Sequence, residues 1–249
     1  MSQTHRGKVY WVTGASGALG GATAKRLADQ GARVIASGRT VSRAHFPETP
    51  DIEIVPLDIT DNDAVVRAAA DIVGRHGRID GVVVSTNVGA FGDFLDLQDE
   101  DWQRVLDAKL LGSVRVIRAA LPTLIEQKQG SIVAISGRGG IDPPPNHFPG
   151  ASVNAALDLL IQGIGRRYGR FGIRANTVAP GPIRTPRYEQ MEKTAGKGSE
   201  ADPYSKIALG GPGEADDVAD AVSYLLSDAS RFVNASKLAV DGGGPGYPN

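Results

Sequence analysis

Short β-branched runs alternate with longer stretches of helical period along the whole chain, and few architectures accommodate that pattern. Lys8–Thr13, Arg33–Ser37, Glu53–Pro56, Asp80–Ser85, Ser131–Ser136, Ile173–Val178 and Lys237–Val240 read as strands. A helical stretch runs from the Gly-rich turn after Thr13 through Gln30. Asp61–His76 places Ala64, Ala68, Ile72 and Val73 on one face of a second helix. A third helical segment runs from about Asp99 to Gln127, interrupted by Pro122. Val153, Leu157, Leu160, Ile161, Ile164 and Tyr168 then keep a helical period, with Pro149 just before that helix at the end of the Pro-rich loop Asp142–Pro149. Glu214–Leu226 is a last amphipathic helix. Sustained strand–helix alternation predicts an α/β, doubly wound (Rossmann) parallel sheet of about seven strands with helices on both faces. No repeat, linker or low-complexity segment breaks it, so residues 1–249 are expected to form a single domain.

Composition narrows the function. Lys and Arg number 27 against 28 Asp and Glu, a net charge of −1, which excludes a basic nucleic-acid footprint or an acidic tail as the main theme. Cysteine is absent, which excludes disulfides, Cys-based zinc sites and a catalytic thiol; no metal site is expected. The N-terminus MSQTHRGK has no apolar core, and no apolar run approaches the ~20 residues of a membrane span. The expectation is a cytoplasmic protein that engages neither nucleic acid nor membrane.

Between the first strand and first helix stands Thr13-Gly14-Ala15-Ser16-Gly17-Ala18-Leu19-Gly20. Glycines permit a tight turn and close backbone approach, and the helix N-terminus offers free N–H groups to a pyrophosphate. Strand before, helix after and alternation beyond agree on nucleotide binding. Which dinucleotide follows from charge. An NAD binder usually carries a carboxylate at the end of the second strand, but here the residues are Ser37-Gly38-Arg39, and a guanidinium suits a 2′-phosphate. NADP is favoured over NAD.

From Lys8 to Gly243 the chain resembles the short-chain dehydrogenase/reductase family. TGASGALG resembles the family's glycine turn, with the middle glycine one place early at Gly17. The resemblance makes Gly14, Ser16, Gly17, Leu19 and Gly20 cofactor-binding, and makes Asp58, with Ile59 beside it in LDIT, the adenine contact. Thr86-Asn87-Val88-Gly89 resembles the family's N-N-A-G, bringing in Asn87 and Gly89. Asn176 with Pro180-Gly181-Pro182-Ile183-Arg184-Thr185 resembles the run beside the nicotinamide, and Asp241-Gly242-Gly243 matches a C-terminal D-G-G. Pro180, Gly181, Ile183 and Thr185 are expected at the cofactor. The family also implies a homotetramer or dimer, paired through the Asp99–Gln127 and Gly150–Tyr168 helices.

Chemistry in the family rests on an Asn–Ser–Tyr–Lys set, and none of the four stands at its place. Lys109 occupies the Asn position, Gly137 the Ser position, Gly150 the Tyr position and Asn154 the Lys position. A hydride delivered to a carbonyl leaves an alkoxide that must gain a proton, and glycine donates none. Candidate substitutes are His147, which titrates near neutrality; Arg138, which could hold an anion or oxyanion; Lys109; and Asn154, which could also bond a ribose hydroxyl. Lys109 is expected to reach across to Asn154 directly or through one water, while Ser136 and Ser152 are read as structural and Tyr10 and Trp11 as core or sheet-edge aromatics. Three functions follow: an NADP-dependent oxidoreductase acting on a small carbonyl, enone or imine; a non-redox lyase, isomerase or cyclase on the same fold; or an inactive NADP-binding subunit or sensor.

Overall fold

The computed structural model describes residues 4–86, 88–185 and 207–244. Seven parallel strands form one sheet: β1 (Val9–Thr13), β2 (Arg33–Gly38), β3 (Ile52–Pro56), β4 (Gly81–Val84), β5 (Gly130–Ile135), β6 (Ile173–Pro180) and β7 (Lys237–Val240). Their order is β3-β2-β1-β4-β5-β6-β7, so the winding reverses between β1 and β4. A doubly wound sheet opens a ligand crevice beyond the carboxyl ends of the strands at such a reversal. The registers Thr13↔Ser37 and Thr13↔Val84 bring the ends of β2, β1 and β4 level there.

Alternate residues of each strand feed two cores. Trp11, Ile35, Val82 and Ile132 pack against α2 (Asn62–His76), α4 (Gly112–Gln127) and α5 (Phe148–Tyr168). Tyr10, Val12, Val34 and Val133 pack against α1 (Ala18–Asp29) and α6 (Ala215–Leu226). Tyr10 and Trp11 are thus both core residues, and Trp11 Nε1–H is satisfied by Ser37 Oγ at 3.0 Å. Each helix supplies an apolar face of helical period, such as Leu27 with Ala24 and Ala28 on α1, and its burial is what fixes the helix to the sheet.

Two expectations about helices are corrected. The Asp99–Gln127 segment is not broken at Pro122, which lies inside α4. Pro122 and Arg118 are both exposed, so the Arg118 carbonyl that loses its N–H partner faces water. The interruption comes earlier, where α3 (Asp99–Val105) passes into a π-helical stretch, Leu106–Leu111, before α4 begins. Pro149 is the second residue of α5 rather than its predecessor, in the first turn where no amide donor is needed.

Candidate functional site

The β1–α1 turn closes by steric necessity. Gly14 has φ +70°, and a Cβ there would collide with the Ser85 carbonyl at the end of β4. Gly20 lies against the Gly14 carbonyl with no room for a side chain. Gly17 is the N-cap of α1, which has no side-chain cap and no acid in its first turn. The positive end of α1 therefore opens toward the crevice instead of being neutralised from within the chain. Leu19 is half-buried and rests its side chain on the α1/α6 core.

Gly14, Ser16, Gly17, Arg39, Asp58 and Ile59 line one cleft over this turn, as the motifs imply. Thr40, Ser85 and Ala108 line it too; adjacency to Arg39, to the Thr86-Asn87 motif and to Lys109 was the available signal for them. Gly38 packs against Ser16, and a Cβ there would lie 3.2 Å from Ser16 Oγ. Arg39 is exposed at the rim and makes no ion pair among the described residues. The Asp58 carboxylate accepts from the Thr60 backbone N–H at 2.9 Å and from its hydroxyl at 2.8 Å. Those bonds, the backbone one foremost, hold its pKa below the usual carboxylate value, and Arg39 and Arg115 assist. A backbone cradle that any Cβ would fill, an uncapped helix N-terminus, and a guanidinium beside a carboxylate at the rim all fit a dinucleotide.

Asn87 lies outside the described residues. Gly89 is exposed, and its carbonyl accepts from Arg104 at 3.4 Å. Pro180 closes β6, Gly181 N–H donates to the Val240 carbonyl at 2.9 Å, and Ile183 is buried, bridged to Gly213. Thr185 ends the described part of this loop. Asn176 is sealed in the sheet, donating to the Val233 carbonyl and accepting from Ser236 N–H, both at 3.0 Å, so it fastens the approach to β7.

At the catalytic positions the structure fills two gaps with neighbours. His147, the N-cap residue of α5, lays its imidazole into the space a side chain at Gly150 would occupy. The ring stacks on Phe91, with centroids 4.4 Å apart and planes 10° from parallel. A Cβ at Gly137 would lie 2.7 Å from Asn154 Nδ2, so the Asn154 amide stands where a serine side chain would project. Asn154 is buried at 3% exposure, and its Oδ1 has no hydrogen-bond partner among the described residues.

Lys109 and Arg138 take partners that local sequence did not indicate. Lys109 is buried, but its ammonium donates to the Ser136 carbonyl at 3.1 Å, and no hydrogen bond joins it to Asn154. The π-helical stretch turns Lys109 inward, and the end of β5 supplies the nearer acceptor. The Arg138 guanidinium pairs with Asp142 and lies 3.9 Å from Asp241, with 13% of the side chain exposed. Ser136 is structural as expected, its hydroxyl donating to the Val178 carbonyl at 3.4 Å, and Ser152 faces outward on α5.

A family model described as Enoyl-(Acyl carrier protein) reductase matches residues 14–244. The chain is 33% identical over 247 residues to the Uncharacterized oxidoreductase Rv1714 of Mycobacterium tuberculosis, covering 95% of this chain and 90% of the relative. It is 31% identical to the Uncharacterized NAD-dependent oxidoreductase Rv0687 of the same organism, covering 97% of each. A solved short-chain type dehydrogenase/reductase from Mycobacterium ulcerans superposes with a TM-score of 0.90 at 28% identity, covering 98% of this chain and 90% of that one. With the sheet order, the glycine cradle and the ordered motifs, these matches establish that the chain belongs to the short-chain dehydrogenase/reductase family of oxidoreductases.

Proposed function

We propose that this chain is an NADP(H)-dependent oxidoreductase that acts on a small carbonyl, enone or imine compound without the family's hydroxyl pair. The observation that carries the cofactor choice is Arg39, exposed and uncommitted at the rim where an NAD binder would present a carboxylate. Gly14, Gly17 and the open end of α1 would receive the pyrophosphate, Arg39 the 2′-phosphate, and Asp58 the adenine. The bound cofactor supplies a hydride at its nicotinamide ring. The chain's own groups then govern the substrate. Asn154 brings an amide to the place left by Gly137, and the His147 imidazole, in the space beside Gly150, exchanges a proton with the substrate through water.

A second reading, a dinucleotide-binding subunit without turnover, draws support from the glycines at both hydroxyl positions. Titration of NADPH and NADH by fluorescence, followed by turnover with a panel of carbonyls, enones and imines, separates the two. Tighter NADPH binding with turnover supports the enzyme. Tighter binding with no turnover on any member supports the subunit, and equal affinities for the two cofactors refute the NADP assignment.

A further inference from the structure

We infer that the substrate side of this site is built for an organic cation at a carbon–nitrogen bond, an iminium or its amine product, in preference to a ketone or alcohol. The inference rests on the hydride-transfer reading above and narrows its substrate class. Three independent observations meet here. The first is the missing hydroxyls: Gly137 and Gly150 leave none at the two places from which a carbonyl oxygen would be polarised and protonated, and His147 would serve a substrate only through water.

The second is the amide of Asn154, buried beside Gly137 with an oxygen that accepts no hydrogen bond among the described residues. A buried acceptor without a donor is costly, and an N–H of a bound substrate would supply the missing partner. The family's hydroxyls only need to give hydrogen bonds to a carbonyl; an amide oxygen takes one from nitrogen.

The third is the mouth. The loop before α3 and the loop before α5 are joined by Gly92 N–H donating to the Asn146 carbonyl at 3.1 Å. Aromatic rings line that junction: Phe91 on His147, and Phe94 edge-on to Phe148 with centroids 5.3 Å apart. Phe91 and Phe94 remain 39% and 58% exposed, offering faces to a cation. From Val88 to Asp101 the sequence carries five acids and no Lys or Arg. Asp99, Glu100 and Asp101 are accounted for by the first turn of α3, where carboxylates stabilise the helix dipole. Asp93 and Asp96 are left with no ion pair among the described residues. Of the nearby cations, Arg104 is paired with Asp101 at 2.9 Å, Arg138 lies with Asp142 and Asp241, and the buried Lys109 ammonium is held by the Ser136 carbonyl at 3.1 Å. The mouth thus attracts a cation and repels a carboxylate or phosphate.

The chemistry balances without the lost tyrosine. A hydride from the reduced nicotinamide forms a C–H bond at the iminium carbon, and the C=N π pair becomes the lone pair of nitrogen. The product is a neutral amine and no proton is taken up. A ketone reduced in the same way leaves an alkoxide that needs one.

Calorimetry on the full chain, with and without NADP, should compare benzylammonium, benzyl alcohol and benzoate. The ammonium is expected to bind about tenfold tighter than the alcohol, and benzoate weakest of the three. That preference should shrink in Asn154→Leu and in Asp93→Asn/Asp96→Asn. In turnover, NADPH should be consumed faster with an N-methyl-3,4-dihydroisoquinolinium cation, a permanently charged iminium, than with the bicyclic ketone 1-tetralone. Ammonium binding no better than that of the alcohol, including no binding at all, or a preference for the ketone, overturns the inference. Loss of NADP binding alone would bring down the cofactor reading and leave the ammonium preference measurable.

Discussion

The imidazole of His147 occupies the space that a side chain on Gly150 would need, three residues along the start of α5. The glycine at 150 and the inward placement of the histidine therefore depend on each other. Gly150→Ala alone should destabilise the fold by about 1–3 kcal/mol, because the ring must be displaced from its stack on Phe91. His147→Ala should relieve most of that cost. Urea unfolding of the two single variants and the double variant measures the coupling; additive effects would show that the ring and the Gly150 side-chain space are independent.

Gly137 and Asn154 make a second pair of the same kind. Gly137→Ser would press a Cβ to 2.7 Å from Asn154 Nδ2 in the present geometry. Restoring a serine by itself should therefore cost stability and yield no carbonyl reductase activity. Combining it with Asn154→Ala should recover stability to within about 1 kcal/mol of the parent. Equal stability of Gly137→Ser and the parent would show that the amide yields freely.

The sheet was largely legible in the sequence, because a strand buried on both faces announces itself by β-branched runs such as Val82-Val83-Val84. The glycine cradle was legible for a related reason, since Gly14 and Gly20 stand where backbone meets backbone and no other residue fits. The fillings at Gly137 and Gly150 were not, because local spacing does not say which neighbour enters an empty volume. Lys109 shows the limit most plainly. Its residue type suggested a partner in Asn154, but its ammonium took the carbonyl of Ser136, a choice made by the π-helical turn and the end of β5 together. Arg138 was likewise read as free, since Asp241 lies about a hundred residues away in sequence and only the fold brings the two together.

Arg39 sets the cofactor prediction. If the guanidinium holds a 2′-phosphate, Arg39→Ala should weaken NADPH binding by about 1.5–3 kcal/mol, roughly ten- to a hundredfold, and leave NADH nearly unchanged. Fluorescence titration of both cofactors reads the difference directly. An equal loss for both would assign Arg39 to the shared part of the dinucleotide.

A pH dependence of stability is built in at the opposite end of the sheet. His5 is buried, with one ring nitrogen 2.9 Å from the Tyr10 hydroxyl and the other 3.0 Å from Ser223 Oγ. Burial, aided by Lys8 and opposed by Asp228, keeps its pKa below the ordinary 6.5. The unfolded chain therefore binds a proton at His5 before the folded one does. Stability from this site is complete above pH 6.5 and falls as the pH drops from there toward the folded pKa, by up to about 1.4 kcal/mol per pH unit. His5→Gln should flatten the stability–pH curve over that window relative to the parent. An unchanged slope in the variant would assign the dependence to other groups.

Leu159 carries the last prediction, that the chain associates with itself through α4 and α5. It sits on α5 with 70% of its surface exposed, and Leu111, at the end of the π-helical stretch leading into α4, is 46% exposed. A single exposed leucine needs no partner, but two on adjoining elements would supply the apolar centre of a two-fold interface. Ser152 and Gly163 on α5 are small, and a Cβ added at Gly163 would meet nothing within 4 Å, so a second helix could approach closely along that face. Leu159→Lys places a like-charged pair at the centre of such an interface. Light scattering at micromolar concentration should give a dimer or tetramer for the parent and a smaller species for Leu159→Lys. Far-ultraviolet circular dichroism should stay the same, because the leucine contributes little to its own subunit's core. A parent that scatters as a monomer would remove this interface.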